Sequence, residues 1–130
     1  MRLLLDTHVL LWALGAPTRL DLDMRDLLED DANDVLFSAA SIWEIAIKAS
    51  LRRADFTARP ERVAREARLA GFAELPVTAD VAVWVADMPL HHRDPFDRLL
   101  VAQAMAEPAR FYTADPQLPA YSELVHLIGG

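Results

Sequence analysis

Four acidic residues, far apart in the sequence, stand where an apolar run ends or within an apolar helical pattern: Asp6 closes MRLLLD, Glu44 sits inside SIWEIAIK, Asp97 lies near the start of DPFDRLLVAQAMA, and Asp115 follows RFYTA. Carboxylates in such places either cap helices or converge on a cation. As a set they offer hard oxygen ligands from four separated segments, which suits Mg²⁺ or Mn²⁺. Zinc suits them far less, because no Cys/His group has zinc spacing.

Each acid also has a local reading. Asp6 can cap the helix that follows it, although Thr7 can do the same. Ser41 and Glu44 have the spacing of a capping box, which would start a helix at Ser41. Against that, Ile42, Trp43, Ile45, Ala46 and Ile47 surround Glu44 with apolar side chains, so its carboxylate should be partly buried and should need a cation, donors or a proton. Lys48, one turn on, is one such partner. Asp97 falls at about the third position of its helix if Asp94, immediately before Pro95, is the cap, and there it favours the helix dipole. Spacing alone does not decide whether Asp94 or Asp97 is the ligand. Asp115 precedes Pro116, a turn-starting pair, and Thr113 two residues earlier can orient a neighbouring carboxylate through its hydroxyl.

The elements that must position these residues alternate in type. Leu3 to Leu5, Val35 to Ala39, FAELPV, RFYTA and LVHLI read as strands. Helices are expected from Thr7 to Leu14, through LDMRDLLED with Leu22, Leu27 and Leu28 inward, from Ser41 through SIWEIAIKASL, over Pro60 to Ala70 closed by Gly71, over Ala79 to Met88, and from Asp94 to Glu107. Such alternation argues for an α/β layer fold with a mostly parallel sheet and helices on both faces. Ligands of such sheets lie beyond the carboxyl ends of the strands, so Asp6 and Asp115 should share one edge.

A chain of 130 residues that is 53% hydrophobic can bury one continuous core, and one domain over 1–130 is expected. The net charge of −7 gives no global field toward nucleic acid or an anionic membrane, so any nucleic-acid contact must be local. With no cysteine there is neither a disulfide scaffold nor thiolate chemistry. Asp6, Thr7 and His8 interrupt the opening apolar run before it reaches signal-peptide length, and no charge-free segment is long enough to span a membrane; a cytoplasmic protein is expected.

The stretches LLLDTHVLLWAL, SAASIWEIAIK, HHRDPFDRLLVAQA and YTADPQL resemble the PIN-domain family, in particular the VapC-like toxin ribonucleases of prokaryotic toxin–antitoxin modules, and they do so in family order over nearly the whole chain. The resemblance implies a three-layer α/β/α fold and a Mg²⁺-dependent endoribonuclease. It implies Asp6, Glu44, Asp97 and Asp115 as the acidic cluster, with Asp6 and Asp97 the direct ligands and Thr7 and Thr113 the accompanying hydroxyls. It further implies an RNA substrate, a cognate antitoxin and a homodimer. His8 departs from the Asn of many members and matches one sub-group.

Outside the cluster, His91, His92 and Arg93 precede the Asp97 helix and read either as surface-loop residues with no role or, for His92 and Arg93, as residues that border the site and touch substrate. Arg52, Arg53, Arg59, Arg62, Arg65 and Arg68 form the densest basic region, read either as a solvated helix face partnered by Glu61 and Glu66 or as a phosphate-binding flank. Trp12, Trp43 and Trp84 lie in apolar helical patterns and read as core or interface residues. Two competing functions are an aspartyl phosphotransferase built on Asp6, which lacks the second Asp two residues on because His8 stands there, and a PIN-like binding module without activity, which the presence of all four acids opposes.

Overall fold

The computed structural model of the chain describes residues 1–51 and 56–129. Five strands form its sheet: β1 (Arg2–Leu5), β2 (Asp34–Ser38), β3 (Ala73–Leu75), β4 (Arg110–Thr113) and β5 (Val125–Leu127). Six α-helices accompany them: α1 (Thr7–Gly15), α2 (Leu22–Glu29), α3 (Ala39–Ser50), α4 (Pro60–Leu69), α5 (Ala79–Trp84) and α6 (Pro95–Ala106). The strand order is β3-β2-β1-β4-β5 and all four pairings are parallel. The order therefore reverses between β1 and β4, and their carboxyl ends bound the crevice in which sheets of this kind bind ligands.

Strand alternation builds two cores from one short sequence. Leu3 and Leu5 of β1 join Val35, Phe37 and Tyr112 on one face, under Val9 and Leu10 of α1, Met24 of α2 and Val63 and Ala67 of α4. Leu4 joins Leu36 and Phe111 on the other, under Leu100, Val101 and Ala104 of α6. A sheet covered on both faces accounts for the unbroken apolar runs Leu3–Leu5 and Val35–Phe37, and the expected three-layer α/β/α arrangement is what forms. Helix α3 touches both cores, through Ile45 on one side and Ala40 on the other. It thus crosses the carboxyl edge of the sheet, where the acidic residues gather. Among the described residues no helix is long and apolar enough to cross a membrane.

Several expected details change. Helix α3 starts at Ala39, with the Ser38 hydroxyl accepting the Ala40 N–H at 3.0 Å, so Ser41 and Glu44 are interior helical residues and form no capping box. Strand β2 remains paired with β3 up to Ser38, and the helix begins as soon as that pairing ends. Asp6 caps α1, which leaves the Thr7 side chain free for other partners. In α2 Leu27 and Leu28 face inward as expected and Met24 joins them, while Leu22 is 68% exposed: positions 24, 27 and 28 share one side of a 3.6-residue helix, and position 22 falls opposite. The third strand is only Ala73–Leu75, and the helix expected to reach Met88 passes at Val85 into a 3₁₀ turn. Gly71, at φ 89°, ends α4 in the left-handed region that glycine adopts without a Cβ penalty.

Candidate functional site

The Asp6 carboxylate is buried at the carboxyl end of β1 and each of its oxygens has a donor: the Thr7 N–H reaches Oδ1 at 2.7 Å, and the Thr113 hydroxyl donates to Oδ2. Thr113 ends β4, the strand on the other side of the switch point, so this bond ties together the two strand ends that define the crevice. Its hydroxyl also accepts the Asp115 N–H at 3.0 Å, which fixes the turn carrying Asp115. Burial pushes the Asp6 carboxyl above its ordinary range, and the Thr113 and Thr7 donors pull against that shift.

Glu44 reaches the same place from α3. Thr7 Oγ1 lies 2.8 Å from Glu44 Oε1 and 2.9 Å from Ser41 Oγ. A threonine hydroxyl has one proton and a carboxylate only accepts, so Thr7 satisfies all three groups by donating to Glu44 and accepting from Ser41. Lys48 Nζ holds the other oxygen, Oε2, at 3.0 Å. The buried carboxylate foreseen from the apolar neighbours of Glu44 is therefore present, and Lys48 is its cation. Ser41 was visible in the sequence only as a cap; its place one turn before Glu44 on the same helix face was the signal for this second role.

Asp97 enters from the first turn of α6. That helix is capped by Asp94, whose Oδ1 accepts the Phe96 N–H at 2.9 Å, as the Asp-Pro pair foretold. Asp97 itself differs from the other three acids: among the described residues no donor lies within hydrogen-bonding distance of its carboxylate. The nearest cationic candidate, His92 Nε2, stands 3.6 Å from Oδ2. Burial, followed by repulsion from Asp6, Asp94, Glu44 and Asp115, pushes its carboxyl from the ordinary 3.8 up to about 8.

Asp115 follows β4, accepts the Gln117 N–H at Oδ1 (2.9 Å) and meets His92 Nε2 at Oδ2 (2.7 Å). The His92 ring is fixed from both sides, because its Nδ1 accepts the Asp94 N–H at 2.9 Å. An Nδ1 that accepts carries no proton, so the proton sits on Nε2 and points at Asp115. Ligand atoms of His92, Asp97 and Asp115 lie within 4.8 Å of one another, close enough to share an ion. In the tautomer fixed by Asp94, however, His92 has no lone pair to offer there, and the donor set reduces to carboxylate oxygens. Tyr121 steadies this loop, its hydroxyl accepting the N–H groups of His91 and His92 at 3.0 Å each. No local sequence signal marked Tyr121, which reaches the loop from some 30 residues away.

All four expected acids line one open cavity of about 460 Å³, together with Thr7, Lys48, His92, Asp94 and, toward the rim, His8 and Trp12. Arg93 is exposed and outside this lining. Arg59 and Arg62 border a different groove, between α1 and α4, while Arg59 and Arg68 pair with Glu61 and Glu74; Arg52 and Arg53 lie outside the described residues. Trp43 and Trp84 are 60% and 46% exposed and so are not core residues. Converging carboxylates, with Asp97 pushed up by its neighbours and no guanidinium among the described lining residues, form a donor set for a hard divalent cation, and the residues present fit such an ion.

Among solved structures the chain is similar to VapBC2 from Rickettsia felis bound to a DNA fragment from its promoter, with TM-score 0.71 at 14% identity over 99% of this chain and 100% of that one. It is similar to FitAB bound to the IR36 DNA fragment (TM-score 0.63, 22% identity, 96% and 94% covered) and to FitAcB from Neisseria gonorrhoeae (TM-score 0.57, 20% identity, 92% of each). At these identities the likeness is one of fold. No curated protein matches in sequence. The family model of the PIN domain matches residues 3–124, a span that takes in every element carrying an acidic residue of the cavity. The chain belongs to the PIN-domain family.

Proposed function

We propose that the protein is a Mg²⁺-dependent endoribonuclease, with Asp6, Glu44, Asp97 and Asp115 as its metal-holding acids, acting as the toxin of a toxin–antitoxin pair. The observation that carries the reading is the state of Asp97. Three of the four acids have protein donors, and Asp97 has burial and four acidic neighbours instead. An arrangement so unfavourable without a cation is accounted for by a cation that the site is built to hold.

Asp6 and Asp97 are the direct ligands in this reading, from opposite sides of the crevice. Glu44 and Asp115 complete the ring, each with hydrogen-bonding capacity left after its protein partner is counted. A divalent ion bound there supplies charge neutralisation for a phosphodiester and a lowered pKa for water. The chain's own residues do the rest. Thr7 and Thr113 hold Glu44 and Asp6 in fixed rotamers, the His92 N–H orients Asp115, and Lys48 pairs with the second oxygen of the buried Glu44.

The partner assignment rests on the company kept by similar folds. VapBC2 and FitAB are each described on DNA, whereas this chain has a net charge of −7 and gathers acids at its cavity. DNA contact in such a complex is a task for a second, basic polypeptide, the antitoxin. Exposed Trp43, Leu51, Trp84 and Leu90 leave apolar surface for that partner and for a homodimer. The decisive experiment is cleavage of single-stranded RNA by the purified chain with and without Mg²⁺, beside Asp6→Asn and Asp97→Asn. Loss of cleavage on chelation and in both variants is expected; cleavage by both at the wild-type rate would sink the metal-nuclease reading.

A further inference from the structure

The rim of the acidic cavity contains a feature that the metal chemistry does not use. His8 and Trp12 stand one turn apart on α1, the helix that Asp6 caps, with ring centroids 6.2 Å apart and planes tilted by 37°. Both line the cavity that holds the carboxylates. Arg19, from the 3₁₀ turn after α1, lays its guanidinium 4.5 Å from the centre of the Trp12 ring. Arg19 is exposed and forms no ion pair among the described residues, in a chain where acids outnumber Lys and Arg by 20 to 13.

An indole half-buried against the core, braced by a guanidinium and opening onto a site for phosphodiester chemistry is a platform for a planar, electron-poor ring. We infer that Trp12, with His8 beside it and Arg19 against it, forms a nucleobase-stacking subsite that seats an unpaired base next to the scissile phosphate. The inference rests on the ribonuclease reading and sharpens its substrate to single-stranded RNA.

The physical argument has three parts. A polyanion approaching five acids of the cavity wall is repelled, and among the described residues Lys48 is the sole Lys or Arg in that lining. Binding must therefore draw on contacts that do not depend on net charge, and stacking is one, because every base has a π-face. Stacking also demands a base free of its complement, which a helix-capped ledge inside a cavity selects and a duplex cannot supply. Finally, Arg19 loses little side-chain freedom on binding because it already lies against Trp12, and among the described residues it pairs with no carboxylate that would compete with a phosphate.

The test is steady-state cleavage of a short single-stranded RNA by the full chain with Mg²⁺, comparing wild type with Trp12→Ala, Trp12→Phe and His8→Ala. Trp12→Ala is expected to raise KM about tenfold with kcat within about threefold, and Trp12→Phe to restore KM, since stacking alone is at stake. Substrates with one abasic nucleotide at each position in turn provide the second readout. At one position the loss seen with wild type should vanish in Trp12→Ala, and elsewhere the two losses should add. His8→Ala, an exposed substitution that leaves the core intact, should raise KM less. Unchanged KM in Trp12→Ala, or additive losses at every abasic position, would overturn the subsite while leaving the nuclease reading in place. Absence of RNA cleavage by the wild-type chain would overturn both.

Discussion

The Thr113 hydroxyl donates to Oδ2 of Asp6, 107 positions earlier in the chain, and so locks the two strand ends between which the order of the parallel sheet reverses. The bond does two jobs. It satisfies a buried carboxylate, and it sets the rotamer in which Asp6 faces the cavity.

Replacing Thr113 by Val keeps the shape and removes the donor. The buried Asp6 oxygen is then left unsatisfied, at a cost of about 1–3 kcal/mol. Urea denaturation should show the midpoint fall with m unchanged, and Thr113→Ser should recover most of the loss. Wild-type stability in the Val variant would mean that Asp6 finds another donor.

Asp97 makes the metal-free protein sensitive to alkali. Its folded carboxyl titrates near 8 and its unfolded one near 3.8, so between those values the folded chain holds a proton that the unfolded chain has lost. The unfolded state binds fewer protons over that window, and stability therefore falls as pH rises from about 4 to about 8. Asp6, also raised, contributes with the same sign. Thermal melts with a chelator should show Tm falling across this window, and saturating Mg²⁺ should flatten the dependence by replacing the proton. A chelated protein whose Tm rose from pH 5 to pH 8 would contradict the assignment.

Asp97→Asn removes one charge from a repelling group and keeps the side chain's size. In chelator at pH 8 the variant should melt higher than wild type. Wild type should gain stability with Mg²⁺, by about 2.7 kcal/mol when the ion is at 100 times its Kd, with a matching rise in Tm, and the variant should gain far less. Equal Mg²⁺ responses in the two proteins would remove Asp97 from the ligand set.

His92 holds the N–H of Asp94 and a carboxylate oxygen of Asp115 at once. His92→Phe fills the space without either hydrogen bond. Isothermal titration with Mn²⁺ should show affinity falling about tenfold or more, in the range that lost support of a ligand costs. Unchanged affinity would show that Asp115 needs no such support.

Much of this fold was legible in the sequence because it depends on short-range rules. The apolar run at Leu3 to Leu5 marked a buried strand and RFYTA a further strand of a mostly parallel sheet, and Asp94 before Pro95 marked the start of α6. The four acids were found through their positions at element ends and through a family pattern. Ser38 and Ser41 show where local rules stop. Either hydroxyl can cap a helix, and the choice fell to Ser38 because β2 stays paired with β3 up to that residue, a fact about a strand 35 positions away and outside any capping window.

What the sequence by itself determined is the list of acids and the type of element that carries each, since helix capping and strand alternation act over a few residues. What only the tertiary structure decided is which oxygen meets which donor: Thr7 with Glu44 at a separation of 37, Thr113 with Asp6 at 107, and Asp97 with none among the described residues. Those partnerships follow from the strand order, which brings the ends of β1 and β4 together and lays α3 and the start of α6 across them. Strand order is fixed by burial on both faces of the sheet, a property of the whole packed chain that no local window contains.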